Sequence, residues 1–250
     1  MKFKRVPWYL RSYKKIIYVV SKVFLKPVDN IFNFTLQEKF KRNLINFHNN
    51  NYKINGEYCF IHVPRTGGVT FYRNLLPIFK ENLHNFNFPY HPNFNTHNPV
   101  NKSADFKKTK YLTVLRDPVE RVYSLFIDVL ANRKHSLNHL AKKGLEIFCM
   151  NSWEVKNMYV RYFSGNIFKD DENHYSKAIG NLNEFYKIFN FHDLEKDIDI
   201  FLEKEKNLKI DLKNYKTKKY NKIISDSDRE IIKKFNYLDL KLFKKMTMLY

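Results

Sequence analysis

The segment Phe60-Ile61-His62-Val63-Pro64-Arg65-Thr66-Gly67-Gly68-Val69-Thr70 constrains the fold more than any other part of this chain. Residues 57–63 are an apolar run that reads as a short buried strand, and 64–68 read as a turn. Residues 69–79 carry Phe71, Leu75 and Phe79 at i, i+4 and i+8, the repeat of a helix with one buried face. A second unit of the same kind follows. Residues 111–115 are apolar and rich in β-branched side chains, and Arg116-Asp117-Pro118 stops them. A helix beginning near Pro118 would turn Val119, Val122, Leu125 and Val129 inward. Strand–turn–helix units in series predict an α/β fold, with a small parallel sheet and helices on both faces.

Beyond the second unit the pattern is mostly helical. Helices are expected over 137–150, 153–163, 175–185 and 194–205, a third strand over 187–191, and one long amphipathic helix over 226–248. Residues 81–108, rich in Asn, His, Pro and Lys, read as a functional loop or a short hidden helix. Residues 1–55 form a basic, helical N-terminal extension interrupted at Pro27, and 56–250 form the main domain. At 250 residues, 44% hydrophobic and 17% aromatic, the chain has ample side chain to close a core, which excludes fibrous and low-complexity classes.

Lys and Arg number 45 against 25 Asp and Glu, a formal charge of +20. Such a surplus attracts nucleic acid, anionic lipid, acidic polysaccharide or a phosphate-rich cofactor without choosing among them. Two cysteines exclude a disulfide scaffold, and Cys59, inside an apolar run, reads as a buried thiol rather than half of a bridge to Cys149. Near the N-terminus, Arg11, Lys14, Lys15 and Lys22 interrupt the apolar stretch, so it does not supply a membrane span. Trp8, Tyr9, Tyr13, Ile16, Ile17 and Val20 can share one face of a helix, which fits packing on the domain or a weak peripheral membrane contact.

The first turn has the makings of a phosphate cradle. Gly67 and Gly68 tolerate a left-handed backbone and let an anion come close, and the N–H groups of the turn and of the following Val69 and Thr70 would point at it. Arg65 adds fixed charge, and Thr66 and Thr70 add hydroxyl donors. Neither GxxxxGK[ST] nor GxGxxG occurs here. At the end of the second strand, Arg116 and Ser124 form a second anion-binding set, with Arg121 either a further ligand or paired with Asp117. Ligands of open α/β sheets bind at that strand edge, so two anion sites on neighbouring strands suit a nucleotide with separated phosphates. Neither set looks built to hold a divalent metal, so no metal is expected.

Val63-Pro-Arg-Thr-Gly-Gly together with Leu115-Arg-Asp-Pro-Val-Glu-Arg-Val-Tyr-Ser resembles the carbohydrate sulfotransferases that use 3′-phosphoadenylyl sulfate. The nearest branch modifies uronic acid 2-hydroxyls or glucosamine 6-hydroxyls of heparan-type chains, and the similarity covers residues 57–250. The resemblance implies a P-loop-like three-layer fold with a small central parallel sheet and a helix-rich C-terminal half. It also implies sulfonate transfer to a hydroxyl of a carbohydrate acceptor. By the same resemblance the first loop binds the 5′-phosphosulfate, and residues matching Arg116 and Ser124 bind the 3′-phosphate. The family's lysine on the leaving oxygen is matched by Arg65. Arginine keeps the charge and grips oxygens bidentately but is a poorer proton donor. The leaving phosphate is a stable anion, so electrostatic stabilisation suffices.

Proton removal from the acceptor hydroxyl suits a histidine. The family's base precedes the second strand, in a His-x-x-aromatic segment that Tyr90-His91-Pro-Asn-Phe94 matches best. His91 is the choice, with His97 second and His84 also in the region. His62 reads as a packed strand residue. The basic break over 213–222 matches a family loop over nucleotide and acceptor, and contributes Lys216 and Lys218. Two rivals stand beside this reading. One is a non-catalytic binder of nucleic acid or another polyanion, drawn by charge and aromatics, although no nucleic-acid motif is present. The other is a different nucleotide-dependent transferase, against which the missing metal carboxylates count. The expected setting is a cytoplasmic enzyme, membrane-peripheral at most, or the Golgi lumen if the source is eukaryotic.

Overall fold

The computed structural model describes residues 57–79, 83–84, 99–100, 104–209 and 223–248. In chain order these form β1 (Tyr58–Ile61), α1 (Gly68–Phe79), β2 (Leu83–His84), β3 (Lys110–Leu115) and α2 (Pro118–Ala131). There follow α3 (Asn138–Ala141), α4 (Leu145–Asn151), α5 (Met158–Phe163) and α6 (Glu172–Asn183). The chain then runs through β4 (Lys187–Asn190), α7 (Leu194–Lys206), α8 (Asp226–Phe235) and α9 (Tyr237–Thr247).

The strands form one parallel sheet in the order β2-β1-β3-β4, with β2 a two-residue edge strand inside the expected 81–108 loop. Tyr58 lies opposite Lys110 and Ile61 opposite Thr113, while Leu112 lies opposite Lys187 and Leu115 opposite Asn190. The strands read as continuous apolar runs because both faces are covered. Cys59, Ile61, Tyr111, Leu115 and Ile188 pack on one side with residues of α5, α6 and α9. Tyr58, Phe60, Leu112, Val114 and Phe189 pack on the other with Phe71, Leu75 and Phe79 of α1 and with α7. The period of two along each strand thus builds helix, sheet and helix into three layers. A satellite core joins α2, α3, α4 and α8, and receives the Val119, Val122, Leu125 and Val129 face of α2 as its spacing predicts. Cys59 and Cys149 are both buried thiols.

Three expected helices are shorter or divided. Gly144, at φ 106, separates α3 from α4. The 153–163 segment becomes helical only from Met158, because two buried arginines gather the carbonyls before it. Arg121 donates to Glu154 O at 3.2 Å and Val155 O at 3.0 Å, and Arg161 donates to the carbonyls of Trp153 and Lys156. The 226–248 helix breaks at the fully buried Asn236. There, Asn157 Oδ1 accepts from the N–H groups of Leu238 and Asp239 at 3.1 and 3.3 Å. Asp239 in turn accepts from the N–H groups of Tyr159 and Val160, both at 3.0 Å. The first turns of α5 and α9 therefore cap each other, satisfying N–H groups that helix starts leave open. Burial pushes the Asp239 carboxyl up to about 6, against the pull of Arg121 and the two N–H donors. Among the described residues no helix is long and apolar enough to cross a membrane. The 1–55 extension lies outside the described residues.

Candidate functional site

Parallel pairing sends the chain out of β1, β3 and β4 at the same sheet edge, which brings both sequence motifs together. In the first loop, Arg65 (φ 71) and Gly67 (φ 82) are left-handed, while Thr66 between them is not. Such alternation turns successive N–H groups toward one side, as in anion-binding backbone nests. Among the described residues none accepts a hydrogen bond from the N–H groups of Thr66, Gly67, Gly68, Val69 or Thr70; the first bond of α1 is Phe71 N–H to Gly67 O at 3.1 Å. The loop is held from behind. Phe191 and Leu194 press on Gly67, and the His62 ring lies so close over Gly68 that a Cβ there would stand 2.0 Å from its Nε2. His62 is thus a packing residue of the loop.

Thr66 departs from its expected role as a ligand donor. Its side chain is fully buried and donates to Val63 O at 2.8 Å, closing the turn instead. Of its donors, the backbone N–H is left without an acceptor among the described residues.

The second motif stands directly against the first. Asp117 caps α2 by accepting from Glu120 N–H at 3.0 Å, with Pro118 in the first helical turn. Tyr159 clamps Arg116 by its backbone, donating to the carbonyl at 2.7 Å and accepting from the N–H at 3.1 Å. The Arg116 guanidinium stacks on Phe191 at 4.1 Å, donates through Nη1 to Arg65 O at 3.3 Å, and pairs through Nε with Glu120 at 3.3 Å. Burial holds its pKa below the ordinary value, with Glu120 opposing and Arg65 adding to the fall.

Ser124 and Arg121 sit differently from expectation. Ser124 Oγ accepts from Arg65 Nε at 3.2 Å and Nη2 at 3.0 Å, so it serves the first-loop arginine rather than Arg116. Arg65 Nη1 also lies 3.5 Å from Asp128. The Arg121 guanidinium is directed neither to the loop nor to the Asp117 carboxylate, and only the residue's backbone N–H meets Asp117, at the carbonyl, at 2.9 Å. It is fully buried on the far side of α2, because positions 116 and 121 of a helix-edge segment point apart while 120, 124 and 128 share a face.

Strand β4 supplies what the motifs did not reveal. Phe191 and His192 follow β4 at this edge, Phe191 as the floor under Gly67 and Arg116, and His192 with Nε2 3.4 Å from Glu120 Oε2. The available signal was the strand itself: once 187–191 is placed in a parallel sheet, its C-terminal end must open here.

His91, His97, Lys216 and Lys218 lie outside the described residues. His84 falls on the edge strand β2, paired with Cys59. Among the described residues no group of three or more His, Cys, Asp or Glu is placed to hold a metal ion. What the edge offers is therefore two adjacent guanidiniums, a run of five N–H groups that no described residue engages, and a ring floor, a set suited to phosphate or sulfate oxygens. No model of a known protein family matches the chain, and no curated protein does.

Proposed function

We propose that the protein is a carbohydrate sulfotransferase, moving a sulfonate group from 3′-phosphoadenylyl sulfate to a hydroxyl of a glycan acceptor in a P-loop-like fold. The observation that supports this best is the junction of the two motifs, where Arg116 donates to the Arg65 carbonyl at 3.3 Å and Arg65 reaches Ser124 at 3.0 Å. Two anion-binding segments so joined can hold one nucleotide by both its phosphate ends. The N–H groups of 66–70 with Arg65 would take the 5′-phosphosulfate, and Arg116 the 3′-phosphate, with Ser124 steering Arg65.

In the transfer, the acceptor oxygen bonds to sulfur as the sulfur–oxygen bond to the 5′-phosphate breaks. The hydroxyl proton passes to His91, and Arg65 offsets the charge that gathers on the departing phosphate oxygen. Lys216 and Lys218, implied by the resemblance to belong to a loop over nucleotide and acceptor, would add charge that draws both phosphate and an acidic glycan. A cytoplasmic enzyme, touching a membrane surface only through its basic N-terminal extension, fits this reading.

Calorimetry with 3′-phosphoadenosine 5′-phosphate and with ADP tests it. The first should bind in the micromolar range or tighter, and ADP distinctly more weakly; equal affinities would leave a general polyanion binder. Labelled donor offered with a panel of desulfated polysaccharides then reads transfer itself. His91→Ala should lower turnover by roughly 10²-fold or more with nucleotide binding nearly unchanged.

A further inference from the structure

Glu120, Ser124 and Asp128 recur at i, i+4 and i+8 of α2, so they form one stripe along the helix. All three are half-buried and all three meet the cations of the sheet edge: Glu120 meets Arg116, while Ser124 and Asp128 meet Arg65. Of the three, only Ser124 is among the residues that the second motif's resemblance places at a phosphate.

Glu120 is the member whose placement needs explaining. A glutamate in the third helical position, behind an aspartate cap, ordinarily folds back onto the N–H of the capping residue. Here Asp117 accepts from Glu120 N–H at 3.0 Å, but the Glu120 carboxylate turns outward to the neighbouring strands. One oxygen, Oε2, lies 3.3 Å from Arg116 Nε and 3.4 Å from His192 Nε2. It thus occupies the point where a guanidinium stacked on Phe191 and an imidazole from the next strand converge. That is where an oxygen of a bound phosphate would make the same two contacts.

We propose that Glu120 is an internal counter-anion of the phosphate site, holding Arg116 and His192 until a phosphoryl group takes its place. The identity of that group as the nucleotide's 3′-phosphate rests on the function proposed above; the exchange itself requires only a phosphate-like anion. Its physical basis is twofold. A largely buried guanidinium without a partner is unfavourable, so the tethered carboxylate keeps Arg116 oriented. The pair is also loose and partly solvated, at 3.3 Å with side chains 18% and 32% exposed, so a dianion with several acceptor oxygens can displace it. A weakly binding monoanion cannot. Glu120 therefore sets selectivity for dianionic phosphate, and His192 becomes a ligand contributed by β4.

Titration calorimetry at fixed ionic strength tests this, with inorganic pyrophosphate and 3′-phosphoadenosine 5′-phosphate as probes. Glu120→Gln should bind both roughly threefold to tenfold more tightly than the unaltered protein. Glu120→Asp keeps the charge at the helix start but is one methylene too short to span both Arg116 and His192, so it should also tighten binding. His192→Ala in the Glu120→Gln background should reverse part of the gain. Unchanged or weaker binding of both probes by both Glu120 variants overturns the proposal even if the nucleotide is preferred over ADP. Conversely, tighter pyrophosphate binding without any preference for the 3′-phosphorylated nucleotide upholds the counter-anion and removes the sulfotransferase reading.

Discussion

The two edges of the sheet both carry cations set against carboxylates, and they handle them in opposite ways. At the edge where the strands begin, Lys110 Nζ lies 2.9 Å from Glu205 and 3.1 Å from Glu57, and also donates to Tyr58 at 3.3 Å. Glu205 additionally accepts from the hydroxyls of Tyr58 and Tyr186. One ammonium donates to two carboxylates and one phenol, so its three donors are all engaged. At the edge where the strands end, two guanidiniums meet carboxylates only at 3.3 to 3.5 Å, beside a loop whose N–H groups have no acceptor among the described residues. Positive charge alone thus does not mark a binding site. What sets the second edge apart is donor capacity that no described residue takes up.

The contrast is sharpest in mutants that touch one edge only. Arg116→Ala should remove the preference for 3′-phosphoadenosine 5′-phosphate over ADP, a loss of about 1.5–3 kcal/mol, with the melting temperature little changed. Calorimetry with both nucleotides checks this, and a preserved preference would break the comparison. Gly68→Ala should cost about 1–3 kcal/mol of stability and at least roughly tenfold in nucleotide affinity, because its Cβ meets the His62 ring at 2.0 Å. Urea unfolding and the same titration measure the two effects together.

At the opposite edge, Glu205→Gln should destabilise by about 1–2 kcal/mol while nucleotide binding stays unchanged. Burial acts to raise the Glu205 carboxyl, but hydrogen bonds from Tyr186, Tyr58 and Lys110 outweigh it and hold it down to about 2, from an ordinary 4.5. A depressed folded value means the native state binds fewer protons than the unfolded chain. The stabilisation is therefore complete above pH 4.5 and disappears as pH falls toward 2. Unfolding curves across that window should show the loss in the unaltered protein and a flatter response in the variant. Glu57→Gln should be the smallest change, within about 0.5 kcal/mol, since its carboxylate is 44% exposed. Should either Glu205→Gln or Glu57→Gln weaken nucleotide binding, the edges are coupled and the division drawn here fails.

Much of this architecture was legible in the residues themselves. Phe71, Leu75 and Phe79, and Val119, Val122, Leu125 and Val129, repeat at helical spacing and do face the core. The apolar runs before Pro64 and Arg116 are parallel neighbours, with both motif loops at one edge. These are local properties, in which the spacing of apolar side chains along the chain states which face must leave water.

What only the tertiary structure decided is which distant groups meet. The break at Asn236 is invisible in an unbroken amphipathic pattern, because it depends on Asn157 and Asp239 exchanging caps between helices far apart in the chain. Arg121 belongs to the core and collects carbonyls, although by sequence it sits as close to the second motif as Ser124 does. Ser124 serves Arg65 rather than Arg116, and Phe191 and His192 enter the site from a strand to which no role was assigned. Periodicity reports the side of an element that is buried, but not its neighbour. Sheet order and strand direction set the neighbour, and they follow from packing all the faces at once.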